Sequence, residues 1–234
     1  MNFATPAHIA CYLSVIAVFF CGLFCSNEVL VFIKPVSTLT LIWIYFENRA
    51  KVSALFPIIM IVIMINDVFV LSDFDRFFRY VGILLPLYYI LCSYLLKPYF
   101  SLKGLRYLDI FNLPTLIGIL LVVYVTISVF NLVMPSLEDS MGFAVLIIIT
   151  LFIYLGVCFI VYLRNQFSHT NYLLLAAICC ILVNALVPIQ ELYYDNPLFT
   201  AVIYSVDIVA MFFYLKFLIC TEPEGEDKLF SDYL

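Results

Sequence analysis

The stretch ALFPIIMIVIMINDVFVL (residues 54–71) decides the fold. It is long and apolar enough for a helix to cross about 30 Å of hydrocarbon, yet it carries Asn66 and Asp67 inside its outer half. An ionisable side chain within a spanning helix costs roughly 3 kcal/mol or more, so it normally faces a bundle interior and marks a functional position. A second such residue, Lys34, stands in the preceding apolar run, VFIKPVSTL (31–39).

The remaining chain has the same character. Hydrophobic residues make up 66% of the 234, charged residues only 12%, and the mean hydropathy is +1.14. A soluble domain has about half its residues apolar and about a quarter charged, which excludes that class. Transmembrane β-barrels alternate polar and apolar residues in segments of about ten, and no segment here does so. The reading is an all-α membrane protein, a single bundle of about eight transmembrane helices over residues 1–220, with short loops. The spans fall at about 8–25, 29–46, 54–72, 77–96, 113–134, 141–163, 171–189 and 198–219, with ends uncertain by about two residues. Ser26-Asn27-Glu28 forms a tight turn, Pro114 opens the fifth span, and 97–112 is amphipathic enough to lie along the interface. Short connections make sequential helices antiparallel neighbours. Packing falls to Leu, Ile and Phe, because small-residue motifs are sparse.

Lys and Arg set the orientation. Arg49, Lys51, Lys97, Lys103, Arg106, Arg164, Lys216 and Lys228 lie on the side shared by both termini. Arg76 and Arg79 are the basic residues of the other side, among Glu28, Asp73, Asp75, Glu138, Asp139, Glu191 and Asp195. Both termini are therefore expected in the cytoplasm, with a bacterial inner membrane as the default setting. The net charge of −5 comes largely from the acidic tail 221–234, TEPEGEDKLFSDYL, expected to be poorly ordered. The N-terminus lacks the basic segment of a cleavable signal peptide, so the first span is expected to be retained. There is no basic patch for nucleic acid. The eight cysteines sit in or beside apolar runs without a completing His or Cys, so they read as small buried hydrophobes. No metal site and no cofactor is expected.

Orientation converts the intramembrane polar residues into a depth map. Lys34 and Asp67 lie about 8 Å below the outer ends of their helices, at 1.5 Å per residue. Asn184 occupies the matching level on the seventh span, Tyr204 lies nearby on the eighth, and Asp207 is one turn deeper. Tyr88 and Tyr89 lie towards the middle. Each has a plainer alternative: Lys34 snorkelling to the interface, Asn184 as an interhelical hydrogen bond, Asp67 and Asp207 in helix packing. His8 and His169 read as interfacial, and no Ser–His pair shares a depth, so no nucleophilic triad is expected.

The layout resembles the YhhN-like family, the eight-helix lysoplasmalogenases. Lys34-Pro35-Val36-Ser37-Thr38 resembles the family's KPLTT-like start of helix 2, and Asn66-Asp67-Val68 its GD-plus-apolar element. Val183-Asn184-Ala185-Leu186 falls where the family has SD plus apolar residues, and Tyr204-Ser205-Val206-Asp207 where it has Tyr followed by Ala-Gln. The chain departs from the pattern in having Asn184 for the second Asp, Asn66 for Gly, Pro86 for a helix 4 His, and Asp207 for Gln.

The resemblance implies hydrolysis of the vinyl-ether bond of a lysoplasmalogen, with a membrane lipid or other amphiphile as partner. A general acid protonates the enol-ether carbon, and water attacks the resulting oxocarbenium ion. Desolvation favours the protonated form of a buried carboxylic acid, which suits Asp67 as the donor, and a second carboxylate would stabilise the cation or activate water. Asp207 is the candidate for a relocated partner. Lys34, Asn66, Asn184, Tyr204 and Tyr88 are the candidate substrate-binding residues, Lys34 for the lipid phosphate. If Lys34 pairs directly with Asp67 it favours the ionised carboxylate and becomes a counterion instead. The alternative is a catalytically silent relative that binds an amphiphile, or passes a small solute or proton, through the same polar cavity.

Overall fold

In this chain the backbone polar groups must be satisfied inside each segment, because hydrocarbon offers no partners. The computed structural model describes residues 5–48, 53–100, 113–136, 140–164, 167–194 and 196–221, and the regular elements among them are all helices. Seven are long and apolar enough to cross a membrane, which makes the chain a multi-pass integral membrane protein. They are α1 (Pro6–Phe24), α2 (Asn27–Asn48), α3 (Leu55–Leu95), α4 (Leu113–Val133), α5 (Met141–Arg164), α6 (Thr170–Leu192) and α7 (Pro197–Cys220). Pro6 and Pro197 sit in the first turns of α1 and α7, where a missing N–H costs nothing. Asn196 caps α7 by accepting a hydrogen bond from the Leu198 N–H at 2.9 Å. The link between α1 and α2 is shorter than expected, since Asn27 and Glu28 already belong to α2.

The main departure from expectation lies in α3. Instead of two spans joined by a loop at 73–76, one helical element of 41 residues runs through, broken only at Asp73 (φ −174°, ψ 95°). Residues 74–76 thus belong to the second leg. The break folds the chain back on itself. Phe69 stacks on Tyr80 with ring centroids 5.3 Å apart, whereas eleven residues of unbroken helix would separate them by about 16 Å. The Asp73 carboxylate accepts from the Arg76 N–H at 3.0 Å, the capping bond that starts the second leg. The two legs, 55–72 and 74–95, form a helical hairpin.

The helices close into a ring in the order α3, α2, α1, α7, α6, α5 and back to α3, with α7 also touching α2. The first leg of α3 meets α2 through Phe56 and Tyr45, whose rings lie 4.4 Å apart. The second leg meets α5 through Tyr89 and Tyr154. α4 stands outside the ring against α6, largely exposed, with the Tyr193 hydroxyl donating to the Leu132 carbonyl at 2.7 Å. Small residues matter more than their scarcity suggested. A Cβ on Gly22 would stand 2.7 Å from Ala201 Cα, and one on Gly82 would stand 2.5 Å from Phe143 Cβ. These glycines set the closest approaches of α1 to α7 and of α3 to α5. The segment 101–112, the tail from 222 onward, and Arg49, Lys51, Glu138, Asp139 and Asp195 lie outside the described residues.

Candidate functional site

Lys34 occupies the face of α2 that turns into the ring, where its side chain is 2% exposed. Its ammonium does not snorkel. Nζ lies 2.9 Å from Asp67 Oδ2 on the first leg of α3 and 2.7 Å from Asp207 Oδ2 on α7. It also sits over the ring of Tyr204, 4.4 Å from the centroid, a cation–π contact. One cation on α2 therefore draws together a carboxylate from α3 with a carboxylate and an aromatic face from α7. The pull of two adjacent anions, in a place where water is scarce, outweighs the reach of the lysine stem towards the interface.

The two carboxylate oxygens share one nitrogen, so they stand no more than about 6 Å apart. Asp67 and Asp207 thus meet in space, although no periodicity in either helix announces it. Asn66 is buried beside Asp67, and its amide carbonyl lacks a hydrogen-bond partner among the described residues. The Tyr204 hydroxyl donates to Glu191 Oε1 at 3.0 Å, which ties α7 to α6 just outside the triad.

Asn184 bonds in both directions. It accepts from the Tyr89 hydroxyl at 2.8 Å across to the second leg of α3, and its amide donates to the Cys180 carbonyl at 2.8 Å within α6. Pro188 leaves the Asn184 backbone carbonyl without its usual helical donor, a further polar group at this level. Tyr88 packs edge-on against Tyr89, with centroids 5.4 Å apart. Pro86 is buried but does not line the cavity described next.

All seven sequence-predicted site residues border one cavity of about 150 Å³. A void needs only about 10–15 Å³ of this kind to hold a water, so there is room for a ligand chain. Lys34, Asp67, Asp207, Asn66, Asn184 and Tyr204 form one polar wall, and Tyr88 lies deeper. Phe78, Val81, Leu85, Val129, Phe130 and Ile147, from α3, α4 and α5, make much of the rest apolar. Pockets of this mixed kind, mostly apolar with a few convergent polar groups, are the usual form of a ligand site.

Beneath Tyr89 and Tyr154 the lining of the cavity stops. Cys92, Cys158 and Tyr214 are buried there, and the Tyr214 hydroxyl donates to the Cys92 carbonyl at 2.9 Å. The cavity is therefore blind towards the ends of the helices where α1 begins.

Two residues of the site were not among the sequence candidates. Glu191 counts as a loop charge by composition, but it belongs to α6 and binds Tyr204. Tyr89 has the depth of Tyr88, and only its bond to Asn184 distinguishes it. Two further placements differ from expectation. His8 is fully buried, with Nδ1 2.7 Å from Thr5 Oγ1, because the α1 face carrying it packs into the ring. Lys216, one of the charges that set the orientation, is buried beside Phe212. His169 is exposed. Among the described residues no group of three or more His, Cys, Asp and Glu could hold a metal ion. Compared with protein-family models, with curated proteins and with solved structures, the chain finds no match in any of the three.

Proposed function

We propose that the cavity binds a single-chain ether lipid and that Asp67 and Asp207 hydrolyse its vinyl-ether bond, the activity of the YhhN-like family that the chain resembles. One observation carries this reading: two carboxylates share one ammonium on the wall of a blind, mostly apolar cavity. Lys34 balances one carboxylate. A second buried anion is costly unless it is neutralised, and a proton on the Asp67–Asp207 pair makes the triad neutral. That proton is the one the reaction needs.

In the proposed step the acid transfers its proton to the enol-ether carbon remote from oxygen, and the double-bond electrons form the new C–H bond. The charge passes to an oxocarbenium ion facing the carboxylate pair. Water adds to the cationic carbon and returns a proton to the pair. The resulting hemiacetal collapses to a fatty aldehyde and the glycerol hydroxyl of the head group. Lys34 acts as counterion throughout and not as a phosphate anchor, because both carboxylates already occupy it.

The two legs of α3 each cross the bilayer in this reading, which gives eight crossings. Both termini are then cytoplasmic in a bacterial inner membrane, with the cavity in the outer half.

The test is aldehyde release from lysoplasmalogen by the detergent-purified protein, with the acyl counterpart as control. Asp67→Asn and Asp207→Asn are each expected to lower the rate about 10²- to 10⁴-fold, the usual contribution of a positioned acid or base. Both variants keep a neutral Lys–Asp pair and are expected to remain folded. Full activity in both would contradict the assignment. The engagement of Lys34 with both carboxylates favours a second reading, a silent relative that only binds its amphiphile or passes a small solute or proton. Stabilisation of wild type by a lysolipid without any aldehyde would support the binding form.

A further inference from the structure

The cavity has a measurable depth. Along the second leg of α3 its lining runs from Phe74 to Tyr89, along α5 from Met141 to Tyr154, and along α6 from Pro188 to Ala176. At 1.5 Å per residue these walls give about 22, 20 and 18 Å, three estimates that agree on one channel. The Lys34–Asp67–Asp207 triad opens onto its side rather than its end. Asp67 lies six residues before the break at Asp73, so the triad stands about 9 Å below the mouth. About 10 Å of channel remains beneath it. A bond held at the triad therefore leaves its head group towards the mouth and directs its chain down to the floor.

Tyr89 and Tyr154 make that floor, their rings stacked with centroids 5.6 Å apart. The floor is fixed from several sides. The Tyr89 hydroxyl is held by Asn184, Cys180 Sγ lies 3.7 Å from the same oxygen, and Tyr154 rests on Tyr214 at 6.3 Å. Ala176, the α6 lining residue at this depth, is small and buried, so its methyl group leaves space that a larger side chain would take.

We propose that the Tyr89–Tyr154 pair, with Ala176, is a chain-length stop that selects single-chain amphiphiles by the length of tail between the triad and the floor. This rests on the amphiphile-binding part of the proposed function and not on its hydrolytic step. A terminal methyl group just reaching the rings buries its whole chain, and each methylene buried raises affinity about fourfold. A longer chain must buckle or push its reactive end past the triad.

The experiment measures thermal stabilisation of the full-length protein by lysophosphatidylcholines that differ only in chain length. Wild type is expected to show stabilisation that rises with length and then falls. Tyr154→Leu, which lowers the floor, is expected to move the maximum to longer chains. Ala176→Leu, which raises it, should move the maximum to shorter ones. Opposite shifts cannot come from a general loss of stability, and each variant's own ligand-free Tm is the baseline. Should Tyr154→Leu fail to fold, Tyr89→Leu lowers the same floor from the second leg of α3. Stabilisation that climbs with length without a maximum, an unmoved maximum in both directions of change, or no stabilisation by any member overturns the proposal. Because binding is read without turnover, a clear maximum with no aldehyde release would retire the hydrolase and leave the stop standing.

Discussion

Lys34 holds the site together, and its electrostatics can be tested apart from any catalysis. With its ammonium removed, Asp67 and Asp207 would face each other at close range with no cation between them. Breaking a buried ion pair by deleting one partner costs about 3–5 kcal/mol, because the remaining charge is left uncompensated. Lys34→Met is therefore expected to lower the unfolding free energy by about that amount, and adding Asp67→Asn and Asp207→Asn to it should restore most of the loss. A lysine that served only packing would show no such recovery. At this scale the sequence identified the residues, while the pairing of Asp67 with Asp207 or with Lys34 stood only as an expectation from shared depth and from the resemblance. Lys34, Asp67 and Asp207 stood out because ionisable groups are rare in spanning helices. Helical spacing gives a residue's depth but not which neighbour it turns towards, so the shared ammonium was not legible. Glu191 was missed for a related reason, since a charge near a span end reads as a loop residue.

The elements were legible to within a few residues, because unbroken apolar runs of spanning length leave little choice. The exception is the turn at Asp73, where charged residues suggested a loop. The chain instead resumes helix at once, since Asp73 supplies the capping acceptor for the second leg and the folded-back Phe69, Phe77 and Tyr80 rings cover the turn. The glycines make a second case. Composition could not tell Gly22, pressed against the Ala201 backbone, from Gly156, which has nothing within 4 Å of an added Cβ. Gly22→Ala is expected to destabilise by about 1–3 kcal/mol, as overpacking at a rigid contact does. Gly156→Ala should be neutral or stabilising by up to about 1 kcal/mol, the helix-propensity gain. Denaturation of the two variants side by side checks the contrast, and equal effects would mean that the α1–α7 contact is not held by Gly22.

In the molecule as a whole, the ring of six helices encloses a polar wall that no single helix carries. α2 provides the cation, α3 and α7 the carboxylates, and α6 the amide and Glu191, while α4 and α5 supply apolar surface. The packed layer at Cys92, Cys158 and Tyr214 closes the far end. A closed end suits a site that takes an amphiphile in and releases its products the same way. Hydrolysis of lysoplasmalogen in deuterated water tests the central claim most directly, because a carbon-protonating acid writes its exchangeable hydrogen into the product. Fatty aldehyde carrying one deuterium on the carbon next to the carbonyl, trapped as it forms and absent with Asp67→Asn, is the predicted result. No aldehyde from folded wild type, or aldehyde without deuterium at that carbon, would contradict it.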